Sequence, residues 1–152
     1  TYGGQHVVCF QDAPLHGVFQ NLESERRMRG LKKKEGTKRP VFRYEAVGVM
    51  FMKQDVFAAG GRPVLYEHPD KARGILPREE WWRIVALNLD ADPPLDWTHE
   101  REWRLLGDFE FSLGDCNVLV GNTEQYEEFV KKAGPDVLAA VAGVTVLTQV
   151  GY

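Results

Sequence analysis

The run Asp96-Trp97-Thr98-His99-Glu100-Arg101-Glu102-Trp103-Arg104-Leu105-Leu106 sets two glutamates, two arginines and a histidine among two tryptophans. Read as a β-strand, it places Glu100, Glu102 and Arg104 on one face and Arg101, Trp103 and Leu105 on the other. The Cα atoms of the two glutamates then stand roughly 6–7 Å apart, from a rise of about 3.3 Å per residue. Carboxylates that close raise one another's pKa unless a cation or ligand intervenes, and catalytic acid pairs use this. Arg104 is the cation on the same face. The competing reading is an edge strand laced with cross-strand ion pairs, its charges simply solvated.

Such a pair supports two chemistries. In the first, one carboxylate stabilises the positive charge that grows on a sugar carbon as a glycosidic bond breaks, and the second activates the acceptor. In the second, the acids hold Mg²⁺ for hydrolysis of nucleic acid, with Asp96 or Asp90 as a further oxygen ligand. A metal-dependent nuclease usually carries a lysine two residues after the acid. Here Arg104 follows Glu102 at that spacing and cannot act as a base, so this alternative ranks lower and no metal ligand is assigned. A third alternative is a non-enzymatic binding or antitoxin-like module in which the same residues are structural.

Other chemistries find less support. Cys9 lies in the apolar run Val7–Phe10 and is expected to be a buried, inert thiol. Cys9 and Cys116 are too few and too far apart for a disulfide framework or a zinc site. His99 would point away from Glu100 and is read as flanking. The four tryptophans are read mainly as packing, with one able to stack on a flat ligand ring.

At 152 residues, 43% hydrophobic and 27% charged, the chain suits a single domain spanning residues 1–152. It begins at Thr1 rather than methionine, so a preceding segment is expected to be missing. Neither a signal peptide nor an apolar run near the roughly 20 residues that span a bilayer is apparent, and a cytoplasmic protein is expected. The net charge of −3 conceals an asymmetry: residues 23–45 carry nine of the 19 Lys and Arg against four acids. A local charge of +5 in an acidic protein is a candidate phosphate-binding surface, with Lys32, Lys33, Lys34 and Arg39 as candidate nucleic-acid contacts. The alternative is a solvated helix end followed by a loop.

These residues need a scaffold. Val7–Phe10 reads as a strand buried on both faces. Asp12 and Pro14 then open a helix with Leu15, Val18, Phe19 and Leu22 as its apolar stripe, ending near Gly30 before a loop to Pro40. Ala46–Phe51 reads as a strand in which Gly48 marks a bulge or a close approach. A short helix over Lys53–Ala59 stops at Gly60-Gly61, and Arg62–Tyr66 is a strand. Residues 68–74 read as loop, and Pro77–Trp82 as a helical turn opened by proline. Arg83–Leu89 is a strand and Asp90–Pro94 a turn. Phe109–Phe111 is expected to return beside the focal strand as its hairpin partner. Val118–Val120 is a strand, and Asn122 with Gln125 approximates a capping box. The helix that follows breaks at Gly134-Pro135, continues as a short helix over Asp136–Ala142, and leads to a closing strand over Val144–Val150. Seven or eight strands and three or four short helices give an α+β fold with mixed, mostly antiparallel sheets.

The series Val8–Leu15, Tyr44 to Gly48-Val49-Met50-Phe51, Gly60-Gly61-Arg62-Pro63-Val64-Leu65-Tyr66, and Asp96-Trp97 to Glu100-Arg101-Glu102-Trp103-Arg104 resembles bacterial phage-defence proteins of the AbiGi (abortive infection) type and related bacterial families. The likeness covers roughly residues 7–112. Those families distantly resemble the ADP-ribosyltransferase fold, including DarT-like enzymes that modify nucleic acid. The resemblance implies split β-sheets that hold NAD and a toxin or phage-defence effector that transfers ADP-ribose, with nucleic acid as acceptor and an antitoxin or other partner protein. It implies Glu102 as the catalytic acid and Glu100 as its partner. Tyr44 and Arg62 are implied as cofactor contacts. The early histidine or arginine that orients NAD matches His6, or lies before Thr1.

Overall fold

The computed structural model of the chain describes residues 2–34 and 45–150. In order, its elements are β1 (Val7–Gln11), α1 (Leu15–Lys34), β2 (Val47–Phe51), α2 (Lys53–Ala58), β3 (Arg62–Pro63) and β4 (Leu65–Glu67). They continue with α3 (Pro69–Ile75), β5 (Ile84–Ala86), β6 (Glu102–Leu106), β7 (Cys116–Val120), α4 (Thr123–Ala140) and β8 (Gly143–Val146). The class is α+β, with open and mostly antiparallel sheets and few helices. Among the described residues no helix is long and apolar enough to cross a membrane. The chain divides into two compact units, each built from two separated stretches: Thr1–Ala13 with Met52–Glu110, and Pro14–Phe51 with Phe111–Tyr152.

The first unit is centred on β6. β1 pairs with it antiparallel from Val7↔Leu106 to Gln11↔Glu102, and β3 pairs on its other side with Arg62 opposite Arg104. Both edges of β6 are thus occupied, which leaves no ladder for the expected hairpin partner Phe109–Phe111. The chain turns away at Gly107, whose φ of +81° suits glycine, and Phe109 packs edge-on against Phe10 at 5.2 Å. Leu105 is buried while Trp103 is half-buried, its ring 4.8 Å from the Lys53 ammonium. β1 is not buried on both faces: Cys9, on the face shared with Arg104, is exposed.

The expected strand over Arg62–Tyr66 is two strands. Val64 separates them, its N–H donating to the Glu102 carbonyl at 3.1 Å, and β4 then pairs in parallel with β5. The turn before β3 requires glycine, because a Cβ on Gly61 would meet Val56 Cγ1 at 2.6 Å and the Val56 carbonyl oxygen at 2.7 Å. Residues 68–74, read as loop, mostly belong to α3. Pro69 in its first turn, Asp70 beside it and an Asp70–Arg73 ion pair of 2.9 Å favour helix there. Trp82, Ile84, Val85 and Ala72 are buried beneath this part of the unit.

In the second unit β2 pairs antiparallel and β8 parallel with β7. The stripe Leu15, Val18, Phe19 and Leu22 is the buried face of α1 and packs with Met50, Ala46, Leu119 and Leu147. The helix passes Gly30 and reaches Lys34. An internal glycine costs only about 1 kcal/mol, and its neighbours Arg29, Leu31 and Lys32 are good helix formers. Gly48 carries no bulge, since the β2–β7 register runs unbroken from Val47 to Phe51. Asn122 caps α4 by accepting from the Gln125 N–H at 2.8 Å, while the Gln125 side chain accepts from the Gly121 N–H at 2.8 Å. This is one residue short of a capping box. Gly134 breaks α4 before Pro135, with φ of +76°. The closing strand ends at Val146, where a 3₁₀ turn, Leu147–Gln149, sets Leu147 into the core.

Candidate functional site

Strand periodicity places Glu102 and Arg104 side by side, and their side chains meet. Glu102 Oε1 accepts from Arg104 Nε at 2.8 Å and Oε2 from Nη2 at 3.4 Å. The side chains are only 12% and 11% exposed for Arg104 and Glu102 respectively. Arg104 Nη1 also donates to the carbonyls of Trp82 at 2.7 Å and Ile84 at 3.1 Å. All three guanidinium nitrogens are therefore occupied, and the fork fixes the orientation of the carboxylate. From the β4 side, Tyr66 Oη accepts from the Glu102 N–H at 2.8 Å.

Two further groups feel this charge. The Cys9 thiol is pushed above its usual pKa, first by partial burial and then by a hydrogen bond to Glu102 and its negative charge. The burial expected of Cys9 is not found, since the thiol is exposed, and the neighbouring Glu102 carboxylate disfavours its thiolate form. The Tyr66 phenol is also pushed up, first by desolvation; the Glu102 and Glu100 carboxylates add to this, and the hydrogen bond from the Glu102 backbone opposes it.

Glu100 does not share the strand face of Glu102. Thr98–Glu100 is a 3₁₀ turn, and Arg101 adopts the left-handed conformation (φ 47°, ψ 48°) before β6 begins. Longer-range contacts hold this bend: the Asp12 N–H donates to the Arg101 carbonyl at 3.1 Å, and the Arg101 guanidinium lies 3.8 Å from Asp12, which also binds Lys53 at 2.6 Å. The two acids thus flank a kink, and the charges of both act on the Tyr66 phenol. A left-handed residue with a side chain stores about 1–3 kcal/mol, while glycine adopts that conformation freely. Arg101→Gly should accordingly leave stability within about 1 kcal/mol of the parent, whereas Arg101→Val should lose about 1–3 kcal/mol, as read by urea denaturation.

The remaining candidates disperse. Asp96 Oδ1 accepts from the Thr98 N–H at 2.9 Å and the Thr98 hydroxyl at 2.7 Å, which hold its carboxyl below the usual range. It shapes the turn before Glu100. Among the described residues no group of three His, Cys, Asp or Glu is placed to share a metal ion. Arg62 lies opposite Arg104 in the sheet, but its guanidinium donates to the Phe57 and Gly61 carbonyls at 2.9 and 2.7 Å and stacks 4.0 Å over the Phe57 ring. It closes the α2–β3 turn. His6 precedes Val7 at the Leu106 end of β1 and sits 3.6 Å from Asp108. Glu102 pairs with Gln11, five residues beyond His6, on the order of 17 Å away at the strand rise. Tyr44 and Arg39 lie outside the described residues, as do the side chains of Lys32, Lys33 and Lys34 at the end of α1.

Beside the ion pair, Arg104 lines a cavity of about 320 Å³ with Tyr2, Ile84, Val85, Ala86 and Trp97. Glu102 stands one hydrogen bond behind the Arg104 wall. Two aromatic rings, an aliphatic floor and one guanidinium suit a flat ring carrying polar groups. Tyr2, Tyr66 and the partnership of Cys9 with Arg104 escaped the sequence reading. The contributing strands are brought together by non-local pairing, and only the proximity of Glu102 to Arg104 carried a local signal. No known protein family matches the chain, and comparison with curated proteins and solved structures gives no match.

Proposed function

We propose that this chain is an ADP-ribosyltransferase-like enzyme, a toxin or phage-defence effector, that uses NAD as donor, with Glu102 as its catalytic acid. The observation that carries the reading is the part-buried Glu102 carboxylate, held in one orientation by Arg104 at the wall of an aromatic-lined cavity. A fixed negative charge with little water around it is what a sugar carbon needs as positive charge develops on it. The 320 Å³ cavity falls at the small end of ligand sites, so it suits the nicotinamide-ribose half of the donor rather than the whole dinucleotide. Trp97, which lines the cavity, is the candidate to lie against the base. The C–N glycosidic bond breaks with its electron pair leaving on nicotinamide. The acceptor nucleophile then forms a bond to the same carbon and loses its proton, for which Glu100, across the kink, is the candidate base.

A specific observation favours a second reading. Because every guanidinium nitrogen of Arg104 is occupied, the Glu102–Arg104 pair also serves to stitch β6 to the backbone at Trp82 and Ile84, as scaffold in a non-enzymatic binding module would. Incubation with labelled NAD and oligonucleotides, with and without EDTA, separates these readings. Label transfer that survives EDTA supports the transferase, cutting that EDTA abolishes supports a nuclease, and inertness supports the scaffold.

Nucleic acid as acceptor rests on the basic segment 23–45. Replacing Lys32, Lys33 and Lys34 together by Gln should weaken oligonucleotide binding and reduce the slope of log affinity against log salt by as much as about 3, one unit for each phosphate no longer neutralised. Unchanged binding across a salt titration would remove these lysines from the acceptor surface.

A further inference from the structure

A second cavity, of about 420 Å³, is lined by Tyr2, Gly3, Gln5, Arg73, Arg78, Glu79 and Trp81. Its volume is within the range of small-molecule sites. Tyr2 is common to this cavity and to the one beside Arg104. Two features define its chemistry. The Arg73 guanidinium lies 5.2 Å from the centre of the Tyr2 ring and 5.8 Å from that of the Trp81 ring, and it is also paired with Asp70 at 2.9 Å. The Trp81 indole is fixed by donation of its N–H to the Leu76 carbonyl at 3.1 Å. Arg78, by contrast, is exposed and makes no ion pair or hydrogen bond among the described residues.

We infer that this cavity binds a nucleoside monophosphate moiety, with the base against the Trp81 and Tyr2 rings and the phosphate on Arg78, supported by Arg73. Indole and phenol faces stack on any base, a contact worth about 1–3 kcal/mol in nucleic-acid complexes. A guanidinium recognises phosphate oxygens in a fork, and Arg78 is the arginine here with its donors uncommitted. Glu79 offsets one of the two cations at the rim, which favours a single phosphate over a polyphosphate and offers an acceptor to ribose hydroxyls or a base amino group. The moiety can come from a free nucleotide or from the adenylate half of a dinucleotide. The inference depends on the geometry of this cavity and not on the chemistry of Glu102.

Isothermal titration of the full chain with AMP, NAD, adenosine and inorganic phosphate tests it. AMP should bind, while adenosine and phosphate bind more weakly because each supplies half of the contacts. Arg78→Ala should weaken AMP binding about tenfold to a hundredfold, the worth of one charge-assisted contact, and Arg78→Lys should recover part of it. Because the Arg78 side chain is exposed, both variants should keep the parent far-UV spectrum. Binding of NAD as well as AMP identifies the dinucleotide as a source, and binding of AMP alone identifies the free nucleotide; either result supports the site whether or not NAD is cleaved. Absence of AMP and NAD binding at millimolar ligand, equal affinity for AMP and phosphate, or an Arg78→Ala affinity equal to the parent's would overturn it.

Discussion

Glu102→Gln should cut nicotinamide release from NAD by at least about 10²-fold, the scale seen when one preorganised electrostatic contact is removed from a transition state. The substitution keeps the shape of the side chain and an oxygen able to accept from Arg104 Nε, so the loss reports charge rather than geometry. Folding should survive. Arg104 would lose its counter-ion but keep the Trp82 and Ile84 carbonyls, a cost of about 1–3 kcal/mol against a total stability of about 5–15 kcal/mol. Circular dichroism of the variant, recorded beside the rate, separates lost chemistry from lost structure.

Arg104→Met should be the more damaging change to stability. It leaves a carboxylate that is only 11% exposed without its cation and strips two backbone carbonyls of their donor. Breaking a buried pair from one side costs about 3–5 kcal/mol, and the slight exposure here favours the lower end. Chemical denaturation reads this directly. The double change Glu102→Gln with Arg104→Met should cost about 1–3 kcal/mol less than the sum of the single changes, because with Gln at 102 the loss of the guanidinium no longer strands a part-buried carboxylate. An Arg104→Met protein within about 0.5 kcal/mol of the parent would mean that the fork does not hold the carboxylate.

What was legible in the sequence was local. The stripe Leu15–Val18–Phe19–Leu22 is the buried face of α1 because helical period alone decides it. Asn122 caps α4, and Gly134-Pro135 interrupts it, for equally local reasons. Glu102 and Arg104 meet because alternation along one strand puts them on the same face. Glu100 failed the same argument, since Arg101 turns left-handed and Asp12, 89 positions earlier in the chain, holds the bend through its N–H and carboxylate. Cys9 opposite Arg104 and the loss of Phe109–Phe111 as a hairpin partner are likewise products of strand pairing between distant segments. The helix α3 is a different miss. Its signals, Pro69 in the first turn and Asp70 three residues before Arg73, stood in the sequence and were outweighed by a polar composition that reads as loop.

The assignment of Glu102 as catalytic acid, with Glu100 serving the acceptor, is tested most directly by measuring nicotinamide release and label transfer in parallel for Glu102→Gln and Glu100→Gln, with EDTA present. If Glu102 stabilises the charge on the donor sugar and Glu100 activates the acceptor, Glu102→Gln abolishes both readouts. Glu100→Gln then spares release while lowering transfer. Equal damage from the two substitutions, or full activity in Glu102→Gln, would contradict that assignment.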